Sequence, residues 1–253
     1  MDDTSDDKGG DENTAHPAAS NRQFTTTTPP SSPPTFDGQQ SRYLDGARRN
    51  VPGLDSLHKM TGQLLAEKVA PNGRILVVGA GGGLELKALA QQNPGWSFDG
   101  VDPSADMLLL ARETTTGSAD RISLHHGDIS AAPDGPFDGA VCLLVFHHIS
   151  LEERLAALRG IRTRLRKGSP FVLAHISFPQ TEPARALFID RHIGFGARGT
   201  TDAGEWEAAR AGMKKRLFIC SAEDEEALLE DVGFYGITQF YQALSFRGWV
   251  AYA

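Results

Sequence analysis

The 253-residue chain holds two cysteines, Cys142 and Cys220. They are too few and too far apart in sequence for a disulfide framework or a cysteine metal site, so they read as small buried hydrophobes of a reducing compartment, and no metal is expected. Nor does any apolar run approach the ~18 residues of a membrane span. The acidic opening lacks the basic and apolar regions of a secretory signal. These absences predict a cytoplasmic protein with no membrane partner. A large excess of charge is missing too. The formal net charge is −7, and the first 35 residues alone hold six of the 32 acids against two of the 25 bases. What remains has no phosphate-binding face, so nucleic acid is not the expected partner. The basic clusters at 154–167 and 214–216 read as solvated helix faces. Internal repeats are also absent.

What is present is 40% hydrophobic residues, enough to bury one substantial core. Residues 1–35, rich in Asp, Thr and Pro, contain almost nothing apolar and are expected to form a disordered tail. Residues 36–253 then make one folded domain. In it, short β-branched runs alternate with helical spacing. Strands are expected at 75–78, 97–101, 122–125, 139–146 and 171–175, with helices at 56–70, 84–92, 105–113 and 151–166. Near-continuous apolar strands separated by helices imply a parallel sheet covered on both faces. Residues 182–219 read as mostly helical, a short helix follows at 223–230, and strands at 236–241 and 245–252 close the chain.

The most informative segment is Arg74-Ile-Leu-Val-Val-Gly79-Ala-Gly81-Gly-Gly-Leu-Glu-Leu. A buried strand that stops at close-set glycines and restarts as a helix presents bare backbone to a nucleotide-like ligand. The dinucleotide fingerprint needs a further glycine where this chain has Leu84. Bare backbone on alternate residues instead suits a cofactor without a pyrophosphate. Asp102, at the end of the second strand, can accept both hydroxyls of a ribose. Then come Gly127-Asp128-Ile129 after a third strand and Phe137-Asp138 entering a fourth.

This order of motifs resembles the class I S-adenosylmethionine-dependent methyltransferases. The resemblance implies a Rossmann-like, doubly wound, mostly parallel seven-stranded sheet with an antiparallel C-terminal edge strand and a helical insertion. It implies S-adenosylmethionine as cofactor, with Gly79, Ala80 and Gly81 along the methionine moiety, Asp102 on the ribose, Met107 against the adenine, and Asp128 and the Ile129 amide at the adenine edge. Arg49, Pro103 and Leu143 are assigned to the same site. One departure is Val77, where the family often has an acid. A narrower likeness, through Arg49-Asn-Val-Pro-Gly53 and residues 223–234, is to the carboxy-S-adenosylmethionine-dependent tRNA uridine carboxymethyltransferases. The residues by which that branch holds its carboxylate correspond to Leu54, Leu143 and Leu228 here, which cannot pair with an anion.

The expected reaction is therefore methyl transfer from S-adenosylmethionine to a small-molecule acceptor. The acceptor pocket is expected between the segment before the first strand and residues 182–219, drawing on Tyr43, Arg48, Arg49, Leu54, Leu143, Phe146, Phe178 and His192. Three histidines at strand ends, His147, His148 and His175, are the candidate bases, since a near-neutral imidazole suits that task. Two alternatives stay open: a tRNA-modifying transferase and a non-catalytic cofactor-binding partner protein. The acceptor, the attacked atom and the oligomeric state are not legible.

Overall fold

The computed structural model describes residues 46–197 and 202–253. The expected tail and Tyr43 lie outside the described residues. Seven strands form one sheet: β1 (Arg74–Val78), β2 (Ser97–Asp102), β3 (Ile122–His126), β4 (Gly139–Leu143), β5 (Pro170–Ile176), β6 (Tyr235–Ala243) and β7 (Phe246–Tyr252), in the order β3-β2-β1-β4-β5-β7-β6. Only β7 runs against its neighbours, and it lies one place in from the edge, which β6 forms. β4 and β5 are buried along their whole length, and β1 along all but its first residue. That explains their unbroken apolar runs.

Besides a helical stretch at 46–50, the described residues form the helices α1 (Leu54–Ala66), α2 (Leu84–Gln92), α3 (Ala105–Thr114), α4 (Leu151–Arg164), α5 (Ala184–Ala197), α6 (Ala203–Arg216) and α7 (Ala222–Val232), which cover the sheet. Side chains alternate across the sheet, which produces two cores. Ile75 and Val77 pack with Leu57 and Leu65 of α1, Leu86 and Leu89 of α2, and Ile193 of α5. Leu76 and Val78 face the other way, toward Leu158 and Ile161 of α4 and Leu229 of α7. Capping sets the helix limits. The Ser150 side chain accepts from the Glu153 amide while Glu153 reaches back to the Ser150 amide, and Ser221 and Asp224 repeat that box at α7.

Most expected boundaries shift by one to four residues, and two of the shifts have a clear backbone reason. α1 starts two residues early because Gly53, at φ 68°, turns the chain directly into it. β4 ends at Leu143 rather than Phe146, because Leu144 takes a left-handed φ of 63° and a 3-10 turn follows at Phe146–His148. A branched residue with that φ is strained, and such strain is characteristic of functional sites.

Candidate active site

The strand order reverses between β1 and β4, so a crevice opens beyond their carboxyl ends. On one side of it lies the β1–α2 loop. Gly79 has φ 76° and Gly81 φ 48°, and a Cβ at Gly79 would stand 2.1 Å from Val145 Cγ2, so no larger residue fits there. Asp102 locks the loop to the end of β2. Its Oδ2 accepts from the Gly81 amide at 2.8 Å and its Oδ1 from the Ser104 amide at 2.9 Å. Burial raises the Asp102 pKa, although those two amides and His126 oppose the shift. Each oxygen keeps a lone pair for a further donor.

The neighbouring groups are arranged in sequence around this corner. Met107 is buried on the first turn of α3, and Pro103 is exposed beside Asp102. Asp128 is exposed, with Oδ1 taken by the Ser130 amide and hydroxyl at 2.8 and 2.6 Å, which hold its carboxyl below the usual range. Ile129 is half-buried next to it. Arg49 is exposed and outside the cavity lining, and Leu143 is buried in the first core.

One buried group here escaped sequence reasoning. Glu85, on the first turn of α2, is pushed up to about 8 by burial, and its Oε1 has no hydrogen-bond partner. It is therefore protonated at neutral pH. An acid in a helix's first turn reads in sequence as an ordinary dipole partner, so no signal separated it.

On the far side of the crevice is a cavity of about 610 Å³. It is walled by residues 46–51, the ends of β4 and β5, and parts of α5, α6 and β7. His147, His148 and His192 line it; His175 does not. His175 is fully buried, with Nδ1 3.1 Å from the Ile176 carbonyl and Nε2 3.4 Å from Glu225 Oε2, so it is corrected from a candidate base to part of an interior polar cluster. His147 Nδ1 accepts from the Ile176 amide at 3.4 Å, which places its proton on Nε2. His192 Nδ1 meets Ser245 Oγ at 2.7 Å. His148 differs from both. Its Nδ1 is buried without a partner, and burial with a contribution from His175 lowers its pKa to about 4.

The apolar wall also differs from expectation. Leu54, Leu143, Phe146 and Phe178 pack into the cores, and Leu228 sits 1% exposed on α7. The cavity uses Val51, Leu144, Ile176, Met213, Leu217 and Phe246 instead. The left-handed turn at Leu144 explains part of this, because it ends β4 there.

A second group missed in sequence holds the His147–His148 turn in place. Arg154 of α4 is fully buried. Its Nε donates to the Phe146 carbonyl at 2.9 Å, and its Nη atoms donate to Glu225 of α7 and to the Phe218 carbonyl. The Phe218 amide in turn donates to the His147 carbonyl at 2.9 Å. Burial pushes the Glu225 carboxyl up, but His175 and Arg154 together outweigh it and hold it below its usual range. In sequence, Arg154 belonged to a basic cluster that read as a solvated face.

A glycine-lined corner at β1, a fixed acid ending β2 and a cavity across the switch point define the class. The fold and the comparisons support the class I S-adenosylmethionine-dependent methyltransferase superfamily, with S-adenosylmethionine as cofactor. The family described as "Methyltransferase domain" matches residues 76–171, from β1 into β5. Among curated relatives, carboxy-S-adenosyl-L-methionine synthase of Pseudomonas fluorescens is 26% identical over 217 residues, covering 83% of this chain and 88% of that protein. The synthase of Aeromonas salmonicida is 24% identical over 213 residues, covering 83% and 86%. Solved structures similar in fold include a putative O-methyltransferase from Nostoc punctiforme, at TM-score 0.61 and 22% identity, covering 88% of this chain and 63% of that one. Human N-acetylserotonin methyltransferase, solved with its cofactor, has TM-score 0.54 and 14% identity, covering 87% and 59%. The chain thus spans about three-fifths of those two methyltransferase chains. The residues present fit the cofactor: Gly79 and Gly81 stand half-buried at the end of β1, and Asp102 is anchored by amides while retaining acceptor capacity.

Proposed function

We propose that the chain transfers the cofactor's methyl group to a small molecule bound in the cavity at the ends of β4 and β5. One observation carries this reading. The cavity stands across the switch point from the glycine loop and is lined by an imidazole, His148, whose Nδ1 has no partner. When bound, S-adenosylmethionine supplies an electrophilic methyl that leaves a neutral thioether behind. The chain's own part is to hold and to align. Gly79, Ala80 and Gly81 would receive the aminoacyl tail, and Asp102 the ribose hydroxyls. Pro103, Met107, Asp128 and Ile129 would border the adenine. Alignment of two bound partners is worth several kcal/mol of the barrier, about 7 or more in favourable cases. His148 is neutral at pH 7, and its imidazole would take the proton from an acceptor hydroxyl or amine as the new bond forms. His147, with its proton on Nε2, would donate to the acceptor and orient it.

The test is to incubate the protein with methyl-labelled S-adenosylmethionine and a cell extract separated into small-molecule and tRNA fractions. Label in the small-molecule fraction supports the proposal. Label confined to tRNA overturns it.

A second reading rests on the relatives at 24–26% identity, whose name says that they make carboxy-S-adenosyl-L-methionine. In it the molecule in the cavity gives up a carboxyl group, and the product is a cofactor one carboxyl heavier. Mass spectrometry of small molecules bound to the purified protein separates the two readings.

A further inference from the structure

We propose, resting on the transferase reading above, that the molecule held in the cavity has an apolar body and one oxyanion, a carboxylate or phenolate, and that Arg216 selects for that charge. Among the described residues the lining contains no Asp or Glu. Its polar side chains are Asn50, His147, His148, His192 and Arg216, set in an otherwise apolar wall.

The arginine's own bonding singles it out. Arg210, on the same helix, gives Nε and Nη2 to Asp190 at 2.7 and 2.6 Å, and Arg154 is spent on Glu225 and two carbonyls. Arg216 makes one hydrogen bond, from Nε to the Gly212 carbonyl of its own helix at 3.2 Å. Both Nη groups are left over at the exposed end of α6, at the rim of the cavity. A guanidinium with its outer fork unspent matches a carboxylate or phenolate and repels an ammonium.

Among the described residues nothing in the wall balances a cation. The three histidines are held neutral by burial, His148 and His192 down to about 4 and His147 well below its usual value. They offer N–H groups without adding charge. A cationic guest would lose its hydration and meet no acid in return, so the cavity selects against amines as well as for oxyanions.

The experiment measures binding of phenylacetate, phenylethanol and phenylethylamine to the full chain by calorimetry, with and without S-adenosylhomocysteine. Phenylacetate is expected to bind at least ~tenfold tighter than the alcohol, with the amine weakest. Arg216→Gln should bring phenylacetate down to the alcohol's affinity and leave the alcohol unchanged. Lys215→Gln, which removes a neighbouring charge outside the lining, should preserve the preference. Equal binding of all three probes, binding of none, or a preference that survives Arg216→Gln overturns the proposal. Failure of S-adenosylhomocysteine to bind, with the phenylacetate preference intact, would instead count against the cofactor reading alone.

Discussion

The two sides of the crevice are built on different plans. The side proposed for the cofactor consists of consecutive strand-to-helix corners, at β1, β2 and β3. Its key contact, from the Gly81 amide to Asp102, joins two adjacent strands. The acceptor side is assembled from segments that range from residue 46 to residue 246 and meet only in the folded chain. A buried network centred on Arg154 holds its His147–His148 turn, where the other side relies on glycine conformation. Local geometry therefore governs one half and long-range packing the other.

The sharpest way to break this contrast is Arg154→Met. It leaves the buried Glu225 with only the histidine His175 beside it, so unfolding in denaturant should show a loss of ~3–5 kcal/mol. At temperatures where the variant stays folded, calorimetry should find cofactor affinity within about twofold of the parent and phenylacetate binding strongly reduced. Equal damage to both would mean that the halves are one unit. Next in size is His148→Asn, for which turnover should fall ~100-fold while the KM for S-adenosylmethionine stays put. An unchanged kcat would place the base elsewhere or dispense with it. Asp102→Ala should have the converse effect of Arg154→Met, weakening cofactor binding by at least ~tenfold, about 1.4 kcal/mol, with probe binding unaltered.

Stability against pH should change by about 1.4 kcal/mol per pH unit for each group that titrates. Burial holds His58, His148 and His192 down to about 4, so the unfolded chain binds more protons as pH falls from 6.5 and stability drops with it. Glu85 works in the opposite sense. Pushed up to about 8, it keeps its proton in the folded state, and its contribution is lost as pH rises from 4.5 through 8. Stability should therefore peak near pH 6.5. Glu85→Gln should remove the alkaline decline and leave the acid one; a decline that persists would assign it to another group.

The same division decided how much could be read from the chain alone. The order of strands and helices, the sheet, and the corners at Gly79, Asp102 and Asp128 are written in short stretches whose spacing is itself the signal. The cavity wall is not. Leu54, Leu143 and Phe146 were reasonable choices by position, yet whether a leucine faces a core or a cleft depends on where the backbone turns, and Leu144 turns it. His175 and His148 looked alike as strand-end histidines. Only the packing of Glu225 beside one, and of empty space beside the other, tells them apart. Arg154 resembled its solvated neighbours because a buried arginine needs acceptors from remote parts of the chain.

One contact ties the two ends of the described chain together. The Tyr241 hydroxyl on β6 donates to the Pro52 carbonyl, next to the Val51 that lines the cavity. Phe246 of β7 forms another part of that wall. During synthesis from the N-terminus, the strands that carry the glycine loop and Asp102 emerge long before either residue exists. The chamber is therefore complete only when the last two strands are in place, whereas the glycine loop and Asp102 lie on strands made much earlier.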